Sequence, residues 1–91
     1  DIEAVLVEHG AVSEVAVIGV EHEKWGETPL AVVVLASGAS VGEEELAGWV
    51  NSRVGKQQRI ARAVFVDQLP RNPNGKILKR ELRSEYMGIL K

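Results

Sequence analysis

Cysteine is absent from these 91 residues. That excludes disulfide scaffolds, thiol nucleophiles and cysteine-ligated metals. Aromatic residues make up 4% of the chain, and only Phe65 and Tyr86 fall in its second half. Interleaved aromatics of the kind that stack bases are therefore missing. Long hydrophobic runs are missing too. The longest, Leu30 to Ala36, is far below the roughly 20 residues that a membrane helix needs. No basic segment followed by an apolar one opens the chain, so a signal peptide is not expected and a cytoplasmic location is. His9 and His22 stand too far apart in sequence for a local metal motif. His9 is expected to close a helix end and His22 to sit in a solvated loop. No two of the nine glycines are two residues apart, which removes the dinucleotide-binding fingerprint. Gly75-Lys76 lacks the upstream glycine and the following Ser/Thr of a phosphate-binding P-loop, having Pro70 and Ile77 there.

What remains is a chain that is 45% hydrophobic with no low-complexity tract. It is suited to one small domain with a real core. The net charge of -2 conceals a split. Residues 1–52 carry ten acids and one base, Lys24, for a net of −9; residues 53–91 carry ten bases and three acids, for +7. Such polarity suits an anionic partner, or else neutralisation of one half by the other within one domain. Composition leaves both open.

Periodicity supplies the elements. Ile2, Val5, Leu6 and His9 follow helical spacing up to Gly10, with Asp1 as a possible cap. Val12–Val20 reads as a strand, with Val15, Val17 and Gly19 on one face and Ala16, Ile18 and Val20 on the other. A polar loop, Glu21–Glu27, leads to a second strand over Pro29–Ala36, apolar enough to be buried on both faces with a helix on at least one. Trp25 in that loop is read as a packing anchor. Ser40 and Glu43 have capping-box spacing ahead of a helix through Leu46, Trp49 and Val50 that is expected to stop at Gly55. Ala63–Val66 reads as a short third strand and Lys79–Tyr86 as a helix with Leu78, Leu82 and Tyr86 on one stripe. The expectation is a small α+β domain with a three-stranded sheet, about three helices and a tight, hairpin-like lysine loop.

That loop, Pro70-Arg-Asn-Pro-Asn-Gly-Lys76, is the segment that carries chemistry. Asn74-Gly75 is a tight-turn signal because both residues tolerate positive φ. Pro73 stiffens the approach, and the helix beyond anchors the exit. Lys76 is thereby mounted as a compact point charge, fit for a phosphate or carboxylate oxygen. Spacing alone favours a surface hairpin lysine without a role.

The run Leu69-Pro-Arg-Asn-Pro-Asn-Gly-Lys76-Ile resembles the C-terminal signature of the adenylate-forming enzymes: acyl- and aryl-CoA synthetases, peptide-synthetase adenylation domains and beetle luciferase. The likeness extends along the chain, through Val12-Ser-Glu-Val-Ala-Val-Ile-Gly-Val, Trp25-Gly-Glu-Thr-Pro-Leu-Ala and Val64-Phe-Val-Asp-Gln-Leu-Pro. Leu78 stands where peptide-synthetase domains usually have Asp, so the chain is more similar to fatty-acyl or aryl CoA synthetases. The resemblance implies a C-terminal lid domain over residues 1–91, without the hinge and the large N-terminal domain that would be its partner. It implies that Lys76 is the adenylation lysine, carried by Pro73, Asn74 and Gly75. It further implies ATP, Mg2+ and CoA as co-reactants, a small-molecule carboxylic acid as substrate, and no activity for the isolated lid. No metal ligands are assigned within it and no nucleic acid is expected. Arg53 and Lys56 are candidates for CoA phosphates, with solvated-face charge as the other reading. A free-standing basic module for nucleic acid or another anion is the alternative function.

Overall fold

The structure, a computed structural model, describes residues 1–90. Its elements are α1 (Ile2–Leu6), β1 (Val12–His22), β2 (Gly26–Leu35), α2 (Glu43–Asn51), a 3-10 turn (Lys56–Gln58), β3 (Arg62–Phe65) and α3 (Lys79–Tyr86). The strands form one sheet in the order β1-β2-β3, which is the expected α+β architecture. β1 and β2 make an antiparallel hairpin. β3 runs parallel to β2 and is reached through α2, because parallel neighbours cannot be joined by a tight turn.

Two-residue alternation divides the apolar side chains between two cores. Val15, Ala31, Val33 and Ala63 face one core, closed by Leu6 of α1 and by Leu46 and Val50 of α2. Ala16, Ile18, Val20, Leu30, Val32 and Val64 face the other, closed by Leu69 and by Leu82 of α3. The nearly uninterrupted apolar run of β2 is thus buried on both sides, as its composition predicts. Val12 joins Val15 in the first core despite a three-residue spacing. A register shift explains it: Val12 pairs with Leu35 and Glu14 with Val34, leaving Ser13 as the extra residue of a bulge. Past the bulge, Glu14 shares the phase of Ala16 and Ile18, the α3 side of the sheet.

Several element ends differ from expectation. The strands of the hairpin run on to His22 and Gly26, because backbone pairing continues through the polar residues Glu21 and Glu27. α1 stops at Leu6, and His9 closes the turn beyond it by accepting the Ala11 N–H at Nδ1, 3.0 Å away. Asp1 does cap α1, accepting from the Ala4 N–H. α2 starts after Gly42, not Ser40, and has no side-chain cap. The Glu43 carboxylate is drawn instead to the Phe65 N–H, 3.0 Å away on the edge strand β3. α2 ends at Asn51 rather than near Gly55. The Asn51 amide exchanges two hydrogen bonds with the Ile60 backbone, at 3.0 and 2.8 Å.

Glu3 does for β1 what Glu43 does for β3. Its Oε2 accepts from the Val17 N–H at 2.8 Å and from Lys79 Nζ at 2.7 Å. One carboxylate therefore occupies an open sheet edge and ties α1 to α3. Burial raises the Glu3 carboxyl, but the Lys79 ammonium and the Val17 N–H outweigh it, so its pKa lies below the ordinary 4.5. A depressed carboxylate contributes stability that is complete above its unfolded-state pKa and is lost as pH falls through the folded one. The urea midpoint of the wild-type chain is therefore expected to fall more steeply below pH 4.5 than that of Glu3→Gln. Parallel curves for the two proteins would show that Glu3 carries none of the acid sensitivity.

Candidate active site

The lysine loop connects β3 to α3, and both of its feet are embedded. Leu69 is buried in the α3-side core, and Ile77 packs against the same cluster. Between them the backbone forms a miniature hairpin. The Leu78 N–H donates to Pro70 O at 2.8 Å, Arg71 bridges Ile77, and the Asn72 N–H donates to Lys76 O at 2.9 Å. The Gly75 N–H closes the turn on Asn72 O at 2.9 Å.

The turn differs from the expected Asn-Gly pair with two positive φ angles. Only Gly75 has one, at 86°; Asn74 does not. Asn72, Pro73 and Gly75 take the first, second and fourth positions of the four-residue turn that builds a three-residue hairpin loop, in which proline fixes a negative φ and glycine accepts the left-handed step. Gly75→Ala is expected to lower the unfolding free energy by about 1–2 kcal/mol, since a β-carbon strains that conformation. An unchanged urea midpoint would count against this account of the turn.

Sequence reading named Pro73, Asn74 and Gly75 as the mount but passed over Asn72, which organises it. Asn72 Oδ1 accepts from the Asn74 N–H at 3.0 Å and from the Lys76 N–H at 2.9 Å. The signal was available, because asparagine side chains commonly take backbone donors two residues on. Arg71 was also passed over. Its Nη1 donates to Gly75 O at 2.6 Å, and its Nη2 donates to Glu14 Oε1 on β1. No sequence signal could have found Glu14, because the contact spans 57 residues.

Lys76 is thus held at both its N–H and its C=O, while its side chain is exposed. Its ammonium makes no hydrogen bond or ion pair among the described residues. Other bases of the second half are engaged: Arg62 with Glu43, Arg71 with Glu14, Lys79 with Glu3 and Arg83 with Glu27. Each pair joins a base of residues 53–91 to an acid of residues 1–52. Much of the charge split is therefore internal neutralisation. The Glu27 carboxylate reaches Arg83 by lying over Gly19, where any β-carbon would sit 2.5 Å from its Oε1.

The structure separates the two bases considered for CoA. Arg53 stacks on Trp49, 4.0 Å from the ring centroid, and its Nη1 donates to Trp49 O at the end of α2. Lys56 lines a cleft of about 670 Å³, together with Trp25, Thr28, Arg59 and Ile60. Lys76 is not among the walls of that cleft. Trp25 is not the expected packing anchor. It is 65% exposed and lies flat on His22, with centroids 4.3 Å apart, because the hairpin strands extend far enough to lift the tip beyond both cores. Among the described residues no cluster of acids or histidines could hold a metal ion, and no helix is long and apolar enough to cross a membrane.

The two-core domain thus presents a lysine on a Pro-Gly loop whose backbone is fixed at both ends. Residues 1–76 match the family model for the AMP-binding enzyme C-terminal domain; the chain belongs to that family. A 4-coumarate–CoA ligase-like protein of Oryza sativa subsp. japonica is 43% identical over 91 residues, covering 100% of this chain and 16% of that protein. The 3-methylmercaptopropionyl-CoA ligase of Ruegeria lacuscaerulensis is 43% identical over 90 residues, covering 99% of this chain and 17% of that protein. The crystal structure of ATP-bound MatB from Rhodopseudomonas palustris superposes with a TM-score of 0.93 at 38% identity, covering 99% of this chain and 18% of that one. The chain thus spans about a sixth of the length of the relatives it matches.

Proposed function

We propose that this chain serves as the mobile lid of an ATP-dependent acyl-CoA synthetase acting in the cytoplasm, and that Lys76 is its adenylation lysine. In that reaction a carboxylate attacks the α-phosphate of ATP, releasing pyrophosphate and leaving acyl-AMP. Lys76 donates from its ammonium to oxygens of the acid and the nucleotide, holds the two anions together and offsets the charge that builds on them. The lid then turns about a hinge outside this chain, withdraws Lys76 and presents another face while the CoA thiol displaces AMP.

One observation carries this reading. Lys76 is fixed through its backbone, exposed, and has an ammonium engaged with no described residue, in a loop that matches the family's signature. The donor set suits phosphate and carboxylate oxygens. The described residues offer no carboxylate cluster for Mg2+, so the ion is assigned to the nucleotide and the N-terminal domain. Lys56, in the cleft wall, is better placed for a CoA phosphate than Arg53, whose guanidinium is occupied on Trp49.

The reading is tested by assaying the two half-reactions separately in the full-length protein carrying Lys76→Ala. Loss confined to acyl-AMP formation supports it. The alternative, a basic module for nucleic acid, is not favoured, because Arg62, Arg71, Lys79 and Arg83 are paired with acids of the same domain. Submicromolar, steeply salt-dependent nucleic-acid binding would revive it.

A further inference from the structure

Among the described residues, the lysine loop leans on its own hydrogen bonds, on its two apolar feet and on one side-chain strut to the sheet. That strut is Arg71. One guanidinium nitrogen donates to the carbonyl of Gly75, the residue immediately before Lys76; the other donates to Glu14. Glu14 stands on β1 just past the bulge that brings it round to the α3 side. Planar guanidinium geometry holds the two bonds in a fixed fork, as a lysine's rotatable ammonium would not. The strut ties the hairpin to the sheet at a point beyond its two apolar feet.

We propose that Arg71, braced by Glu14, is a positioning residue for adenylation: it sets where Lys76 stands by gripping the carbonyl that precedes it. The proposal rests on the assignment of Lys76 above. Both partners are substantially exposed, with side-chain accessibilities of 41% and 37%, and exposed ion pairs contribute little to global stability. The pair thus has a geometric use and little thermodynamic one. Misplacing a reacting group by about 1 Å can cost roughly 100-fold in rate, so loss of the strut is expected in the rate of one step.

The experiment uses the full-length protein with Arg71→Ala, Glu14→Ala, Lys76→Ala and the double variant Arg71→Ala/Lys76→Ala. Pyrophosphate release reports adenylation, and thioester formation from supplied acyl-AMP reports the second step. Arg71→Ala and Glu14→Ala are each expected to lower kcat for adenylation by roughly 10- to 100-fold, with KM for ATP and CoA transfer within about twofold of wild type. In the Lys76→Ala background, Arg71→Ala is expected to add nothing, because it acts only through that lysine. An unchanged kcat in Arg71→Ala, beside a strong loss in Lys76→Ala, would overturn the positioning role and leave the lysine assignment standing. Equal losses in both half-reactions, or a further loss in the double variant, would also overturn it by showing a general structural effect. A Lys76→Ala enzyme with normal adenylation would remove the assignment itself.

Discussion

Replacing Lys76 by alanine in the full-length protein is expected to slow acyl-AMP formation by roughly 10²–10³-fold, about 3–4 kcal/mol of transition-state stabilisation. Transfer of a supplied acyl-AMP to CoA should be nearly unchanged. The size follows from the type of contact: one preorganised charged donor aimed at two anions whose mutual approach it must offset. The selectivity follows from the proposed movement of the lid, in which only one of two positions brings the loop to the nucleotide. The variant should fold normally, because the side chain is exposed and its ammonium engages no described residue. Equal loss in both half-reactions would reject the role assigned to Lys76.

Leu82→Ala should have a larger effect on stability than Gly75→Ala. Leu82 is 2% exposed and is the buried residue of α3, so truncation leaves a hole between helix and sheet. Such changes cost about 2–5 kcal/mol, against roughly 5–14 kcal/mol for a domain of this length. The ion pairs that also hold α3, Lys79 with Glu3 and Arg83 with Glu27, are exposed. At about 0–1 kcal/mol each they cannot replace that contact. Urea unfolding of this chain should show a midpoint lowered by roughly a seventh or more of its wild-type value, with unchanged slope. A loss under about 1 kcal/mol would mean that α3 is held by its charges after all. The same variant should make adenylation heat-labile, because the lysine loop runs directly into α3.

Much of the fold was legible because burial here follows simple periods. Alternation along β1 and β2 assigns Val15 to one core and Ala16 to the other, as observed. Lys79–Tyr86 was readable as a helix to the residue. Where the reading slipped, a distant partner had intervened. The spacing of Ser40 and Glu43 is a genuine capping signal, yet Glu43 satisfies an N–H of β3 instead. Trp25 is the kind of residue that usually anchors a core, yet it stands exposed on a hairpin tip. In the site, the motif identified Lys76 and its turn residues. Asn72 as organiser and Arg71 as brace became visible only with hydrogen bonds on the page.

By itself the sequence determined the class of element at almost every position, the family, and the lysine proposed to meet the anions, because those depend on local pattern and on a contiguous motif. Tertiary structure decided three things that no local pattern encodes. β3 joins β2 in parallel, since a strand's neighbour is chosen by which edge remains open. The bulge at Ser13 swings Glu14 toward the lysine loop, since register is a property of two strands together. Among the described residues, four bases of the +7 half meet four acids of the −9 half, since charges far apart in the chain are brought together by the sheet and its helices. Those pairings engage Arg71 and Lys79, on either side of Lys76, whose own ammonium meets no described residue.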